Sequence, residues 1–514
     1  MFKLLSDTFI INEIIGSNST ESITESEISI SDDMPNIEKI ISTEGKIKIN
    51  SVEIKTSKVI VNGDLIYNII YRSADEDTSV CSISGKIPFT EEIQIDNASE
   101  NMDANINAYI DYLDSELISE HMFKIKAVSN IDADVINKHP VDFISSLESD
   151  GSFQAKSKNI AYTDVVSETS ETVNVNDAVE IGKSSNEIAN ILKADADVCI
   201  NNIDIMNDRM LVEGVLKVGF LYTENNSITS TGYSSEEFPF THYIELKNSN
   251  KSMIRDVNAA LNDLTYSVEG NYDNEQKIIS FNASFTIDAK LYDTVEKNII
   301  TDGYSTDCEI NIDSSKVNLV STKDIKDSTI KYENNFDVVT GSIKDIYSID
   351  MSPKISEKRI DDGNYVIDGF LDVNLLYLNG DVNKIDRAYA SMPFTSTIKL
   401  DEKDKNCDVA SDIKICKCNA YRKNSNTVNA NCEIKVTLKL KSNDEITVIS
   451  NITEAGSIDH SKMPSLIFRV VQQGETIWDI AKDYKVSINY LKELNDLSEE
   501  TLNPGSKIII ARKV

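Results

Sequence analysis

Apolar and polar residues alternate over most of the first 456 positions, in runs such as Phe281-Asn-Ala-Ser-Phe-Thr-Ile287 and Cys432-Glu-Ile-Lys-Val-Thr-Leu438. A period of two predicts antiparallel strands with one packed face and one wet face. Three stretches share a longer frame: VIVNGDLIYNIIY (Val59 to Tyr71), MLVEGVLKVGFLY (Met210 to Tyr222) and YVIDGFLDVNLLY (Tyr365 to Tyr377). Glycine stands at 63, 214 and 369, leucine at 65, 216 and 371, and tyrosine at 71, 222 and 377; the glycines lie 151 and 155 residues apart. Pro-Phe-Thr recurs at 88–90, 239–241 and 393–395, in the same register. Upstream, Ile37/Ile40/Ile41, Ile188/Ile191/Leu192 and Ile343/Ile346/Tyr347 keep an i, i+3, i+4 spacing that predicts a helical turn before the first strand of each copy. A glycine inside the central strand pattern predicts a bulge or a close backbone approach.

The fold class expected is therefore mainly β: three tandem, sandwich-like repeats at 25–164, 170–325 and 332–456, each long enough to bury a core. Residues 1–24 form an N-terminal segment that either packs on the first copy or stays loose. Residues 457–465 carry Asp, His, Ser, Lys and Pro and read as a linker.

From 466 to 514 the period changes. A strand over Arg469–Gln472 leads to Gly474, and Thr476 can cap a helix that places Ile477, Ile480, Ala481 and Tyr484 on one side, with Asp479 at capping-box spacing. Ser487 can start a second helix with Ile488, Leu491 and Leu494 on one face, and Asn495 can end it. Pro504-Gly505 turns into a closing strand, Lys507 to Ile510, which makes the order βααβ. The tail resembles a LysM module: Val471, Gly474, Glu475, Thr476, Ile477, Trp478, Ile480, Ala481, Val486, Ser487, Leu491, Leu494, Asn495, Pro504 and Gly505 fall on that family's pattern. The resemblance implies a shallow groove for N-acetylglucosamine-type glycan between two loops. Here these are Gly474, Glu475, Thr476, Ile477 and Trp478 on one side and Asn495, Asp496, Leu497 and Ser498 on the other. Arg469 departs from the family at a position where a ring residue is usual, which favours a protein ligand over a sugar.

Charge narrows the partners. The chain has 51 basic and 85 acidic residues, a net charge of −34, so nucleic acid and anionic lipid are repelled. Asp7 and Glu13 interrupt the apolar start before an export signal can form, and no apolar run approaches the roughly 20 residues that span a bilayer. Seven cysteines, an odd number, fit reduced thiols in a cytoplasm.

No enzyme, cofactor or metal is expected. Gly182-Lys183-Ser184 resembles the end of a phosphate loop, but Asp177 replaces the required first glycine. Cys407, Cys416, Cys418 and Cys432 could be four zinc thiolates, yet Cys416-x-Cys418 lacks a knuckle and the other copies have no such set, so buried apolar cysteine is the better reading. His121, His139, His242 and His460 are scattered and fall in no catalytic motif.

Acidic repeats with G-x-L…Y and PFT landmarks ahead of one terminal LysM resemble the SipL family of clostridial spore-coat morphogenetic proteins, over nearly the whole chain. The resemblance implies a scaffold in the mother-cell cytoplasm that gathers at the forespore outer surface. Its LysM end would dock to the coat-basement ATPase SpoIVA, with other coat proteins as further partners. A peptidoglycan-binding role is the alternative.

Overall fold

The computed structural model describes residues 3–74, 80–148, 152–182, 185–225, 231–404, 407–458, 464–497 and 502–511. The chain is mainly β, as the alternation predicts. Repeat one contains β1 (Lys3–Ser29), β2 (Ile37–Lys55), β3 (Lys58–Ser73), β4 (Val80–Gln94), β5 (Asp103–Ser119) and β6 (Met122–Glu148). Repeat two contains β7 (Phe153–Glu180), β8 (Ile188–Met206), β9 (Arg209–Glu224), β10 (Thr231–Glu245), β11 (Ile254–Gly270) and β12 (Gln276–Ser305). Repeat three contains β13 (Cys308–Asp337), β14 (Ile343–Asp361), β15 (Asn364–Asn379), β16 (Lys384–Lys399), β17 (Asp408–Arg422) and β18 (Thr427–Ser457). The tail is β19 (Leu466–Val470), α1 (Ile477–Tyr484), α2 (Ile488–Leu494) and β20 (Lys507–Ala511).

Each repeat pairs its strands into two three-stranded antiparallel sheets: β2-β3-β4 and β1-β6-β5 in the first, with the same plan in the others. The sheets close on shared apolar faces: Leu65, Tyr67 and Ile69 of β3 meet Phe123, Ile125 and Ala127 of β6 in one core. β9 meets β12, and β15 meets β18, in the same way. Strand pairing draws the unit differently from the landmarks. β1 pairs with β6 along its length, so residues 3–24 belong to the first repeat's sheet and not to a separate segment. Residues 153–164 likewise pair with 293–305 in repeat two, and 308–325 with 439–457 in repeat three.

The helical turn expected at Ile37/Ile40/Ile41 is absent; these residues lie in β2. Register shifts at Ile37/Lys39 and Ile40/Ser42 each insert an extra residue, and β8 and β14 carry the same pair of shifts. A bulge breaks the two-residue phase, so two bulges three residues apart imitate helical spacing along a strand.

The expected close approach at the strand glycines is present and explains two landmarks at once. Gly63, Gly214 and Gly369 lie directly opposite Phe89, Phe240 and Phe394 of Pro-Phe-Thr. A Cβ on Gly214 would stand 2.4 Å from the Cys199 carbonyl oxygen and 2.5 Å from the Phe240 ring, so only glycine admits the phenylalanine here.

The repeats do not sit in series as separate beads. Ile41, Leu192 and Tyr347, and Ile70, Leu221 and Leu376, hold equivalent positions in the three copies, and all six join one buried cluster. A second shared core gathers Phe9 and Phe143 of repeat one, Tyr162 and Ile299 of repeat two, and Leu319 and Val448 of repeat three. Equivalent residues meeting at one point define a pseudo-threefold axis.

Cys199 of β8 and Cys416 of β17 are joined as a disulfide between repeats two and three, with Cα atoms 5.6 Å apart, which corrects the expectation of seven reduced thiols. Cys416 reaches across because it is the extra residue of a bulge between Ile415 and Lys417. Cys418 and Cys432 face each other across β17 and β18, and burial pushes their thiols up to about 11 and about 12. Among the described residues no group of three or more His, Cys, Asp or Glu is arranged to hold a metal ion, and no helix is long and apolar enough to cross a membrane.

Candidate functional site

The tail folds as its local sequence directs. β19 and β20 pair antiparallel, with Phe468 opposite Ile509. Gly474 turns the chain at φ +85°, a left-handed conformation that glycine adopts without strain. Thr476 caps α1 in a full capping box: its Oγ1 accepts from the Asp479 backbone N–H, and the Asp479 carboxylate accepts from the Thr476 N–H at 2.9 Å. The Thr476 hydroxyl, which donates to the Asp479 carboxylate at 2.7 Å, and the Thr476 N–H together hold that carboxyl below the usual carboxylate range. Ser487 stands at the N-cap of α2 without a side-chain hydrogen bond, and Asn495 stands at its C-cap.

Asn495 fastens α2 to the closing strand. Its Nδ2 donates to the Leu491 and Ile509 carbonyls at 2.9 and 2.7 Å, and its Oδ1 accepts from the Ile509 N–H at 2.6 Å. Glu475 is also internal to the tail. It accepts from the Gln472 N–H at 2.7 Å and from Arg469 at 2.5 Å, and both contacts hold its carboxyl down. Arg469, at the position where related modules carry a ring, is thus the counterion of the first loop.

Of the nine residues expected to bind, Gly474, Thr476 and Asp496 are exposed, whereas Glu475, Asn495 and Leu497 are half-buried. Ile477 and Trp478 are buried in the tail's own core. Ser498 lies outside the described residues, as do Lys183, Ser184 and His460.

Trp478 is taken up inside the molecule. Its Nε1–H donates to Asp302 of β12 at 2.8 Å, and its ring packs edge-on against Tyr304, centroids 5.2 Å apart. Lys482 Nζ reaches both oxygens of the same Asp302 at 2.7 and 2.9 Å. The Tyr304 hydroxyl donates to the Val486 carbonyl at 2.7 Å, and Lys485 lies 3.5 Å from Glu309 of β13. Burial pushes the Asp302 carboxyl up, but Lys482, Trp478 and the Gly303 N–H outweigh it and hold it low. Burial raises the Tyr304 phenol far above its ordinary value. The tail is therefore seated on the edge of repeats two and three, and Asp302 is its main polar anchor. Nothing in the spacing of Asp302 and Trp478, 176 residues apart, announces the contact.

A second missed feature had a signal in the sequence. In Leu466-Ile-Phe-Arg-Val470 the alternation turns Ile467 and Arg469 inward and leaves Leu466, Phe468 and Val470 outward, with Phe468 65% exposed. This row is apolar on a tail without net charge: residues 466–514 hold seven basic and seven acidic side chains, so the −34 resides in the repeats.

His242 lies 2.8 Å from Glu171 on neighbouring strands. A shallow hollow of about 570 Å³ on repeat two, lined by Asn176, Thr265, Tyr266, Ser280 and Asn282 among others, brings no histidine or cysteine to a hydroxyl.

The family described as SipL, SPOCS domain, matches the chain three times, over residues 36–118, 187–269 and 342–421. Each match covers the β2–β5 block of its repeat and leaves out the two long strands. The LysM domain matches residues 470–511. No curated protein and no solved structure matches the chain.

Proposed function

Because this chain belongs to the SipL family, with three SPOCS domains followed by one LysM domain, we propose that it is a non-catalytic scaffold of spore-coat assembly whose tail docks to a SpoIVA-like coat ATPase. It works in the mother cell, at the forespore outer surface. Both domain types are binding domains, and no cofactor enters the reading. The observation that carries it is the outward row Leu466, Phe468 and Val470 on the one neutral domain of an acidic chain. A flat apolar row suits a protein surface better than a hydroxyl-rich sugar chain. Anchoring by Asp302 presents that row in a fixed direction from a large body, which suits a scaffold.

Capture of the coat ATPase from sporulating cells by wild type and by Phe468→Asp tests the docking; equal capture would sink it. A fluorescent fusion lacking residues 457–514 should lose its place at the forespore.

A second reading, binding of peptidoglycan, rests on the LysM match and on the exposed Gly474, Thr476 and Asp496. Sedimentation of the protein with purified peptidoglycan decides it, and a protein that stays in the supernatant removes it.

A further inference from the structure

Three carboxylates, one from each repeat, meet a single ammonium on the pseudo-threefold axis. Glu44, Asp195 and Asp350 occupy equivalent positions, 151 and 155 residues apart. They approach Lys193 Nζ to 2.7, 2.9 and 2.7 Å. The lysine breaks the symmetry, for its counterparts in the other copies are Ser42 and Ser348. Lys193 is 5% exposed, and beside it on the strands runs the axial apolar cluster of Ile41, Leu192 and Tyr347.

Other charged groups reach the cluster less directly. Arg387 of β16 donates to Asn374 and feels Glu44 through space, and Lys46 acts on Asp195. Tyr233 of β10 lies over Gly219, whose Cβ would fall 2.5 Å from its hydroxyl, and burial pushes that phenol up to about 12. In direct contact, then, three carboxylates face one cation. Uncompensated charge at a buried junction is costly, and a carboxylate escapes the cost by holding a proton. The Asp350 side chain is 51% exposed, so bulk solvent reaches the cluster.

We propose that Glu44, Asp195, Asp350 and Lys193 form a proton-operated clasp: with one proton held by Glu44 or Asp195 the three repeats close tightly, and its loss loosens their junction. Burial raises Glu44 to about 7 against the pull of Lys193, and it raises Asp195 as well. A carboxyl whose folded value lies above its unfolded value stabilises the fold at low pH. That contribution is lost as pH rises from the ordinary glutamate value through about 7.

The test is the thermal unfolding midpoint of the full chain across about pH 5 to 8. The wild-type midpoint should fall by a few degrees over this range, beyond the slope from general repulsion. Glu44→Gln keeps the shape of the protonated side chain and should flatten that fall. Asp195→Asn, which removes a different carboxylate, should flatten it too and stands in if the first variant does not fold. Glu148→Gln, at an exposed pair with Lys3, should leave the wild-type slope unchanged. A flattened fall in either axial variant, with the control unchanged, supports the clasp; wild-type slopes in both overturn it.

Discussion

Replacing Asp302 by alanine should unseat the tail without unfolding it. The carboxylate accepts the Trp478 indole N–H at 2.8 Å and holds the Lys482 ammonium at 2.7 Å. A hydrogen bond to a charged group contributes about 1.5–3 kcal/mol. The Lys482 pair adds less, because its side chain is 40% exposed and solvent screens it to within about 1 kcal/mol. The apolar contact between Tyr304 and Trp478 and the hydrogen bond from Tyr304 to Val486 survive the change. The expected loss is therefore about 2–3 kcal/mol, a shift of about 30- to 150-fold toward the undocked tail. Trp478 is the only tryptophan of the chain, so emission excited beyond the tyrosine band reports on the surroundings of this ring alone. Asp302→Ala should shift its emission to the red and raise its quenching by acrylamide, and Asp302→Ala with Tyr304→Ala should do so further. The tail's internal bonds, through Asn495 and the Thr476 cap, are untouched. Acid should act in the same direction: the Asp302 carboxyl is held below its ordinary value, so its contribution is present at neutral pH and lost as pH falls through the folded value. Emission and quenching of Asp302→Ala identical to wild type would refute the seat.

Gly214→Ala should destabilise repeat two by about 1–3 kcal/mol, since the new methyl meets a backbone carbonyl that cannot step aside; denaturant midpoints measure it. Asn495→Ala removes two hydrogen bonds to Ile509 of β20 and one to Leu491 of α2, and should speed hydrogen exchange of the β20 amides, leaving the amides of repeat one unchanged. Thr476→Ala removes the α1 cap and should cost about 0.5–2 kcal/mol, seen as earlier proteolysis of the tail. Reduction should lower the unfolding midpoint of wild type, because the Cys199–Cys416 bond closes a loop spanning 217 residues, and Cys199→Ser should be insensitive to the reductant.

A test of docking by Trp478→Ala would confuse two effects, because that ring serves the tail's core and the seat on Asp302 together. Phe468, on the opposite side of β19 from Arg469, separates them.

Strand type, the three-fold repetition, the close approach at the strand glycines and the βααβ tail were all legible in the chain. They depend on alternation, capping and turn residues, which act over a few positions or recur in register. The helical turn at Ile37 misled because bulges shift strand phase without leaving a mark of their own. The full length and the pairing of the long strands escaped notice because their partners lie over 100 residues away, as with Lys3 and Glu148. Tertiary structure alone decided how the copies join: the shared axial cores, the bond between Cys199 and Cys416, the three carboxylates around Lys193 and the seat of Trp478 on Asp302. The physical reason is common to all four. Each arises where side chains distant in sequence exclude water together, and neither periodicity nor local propensity carries the identity of a partner that only folding brings near.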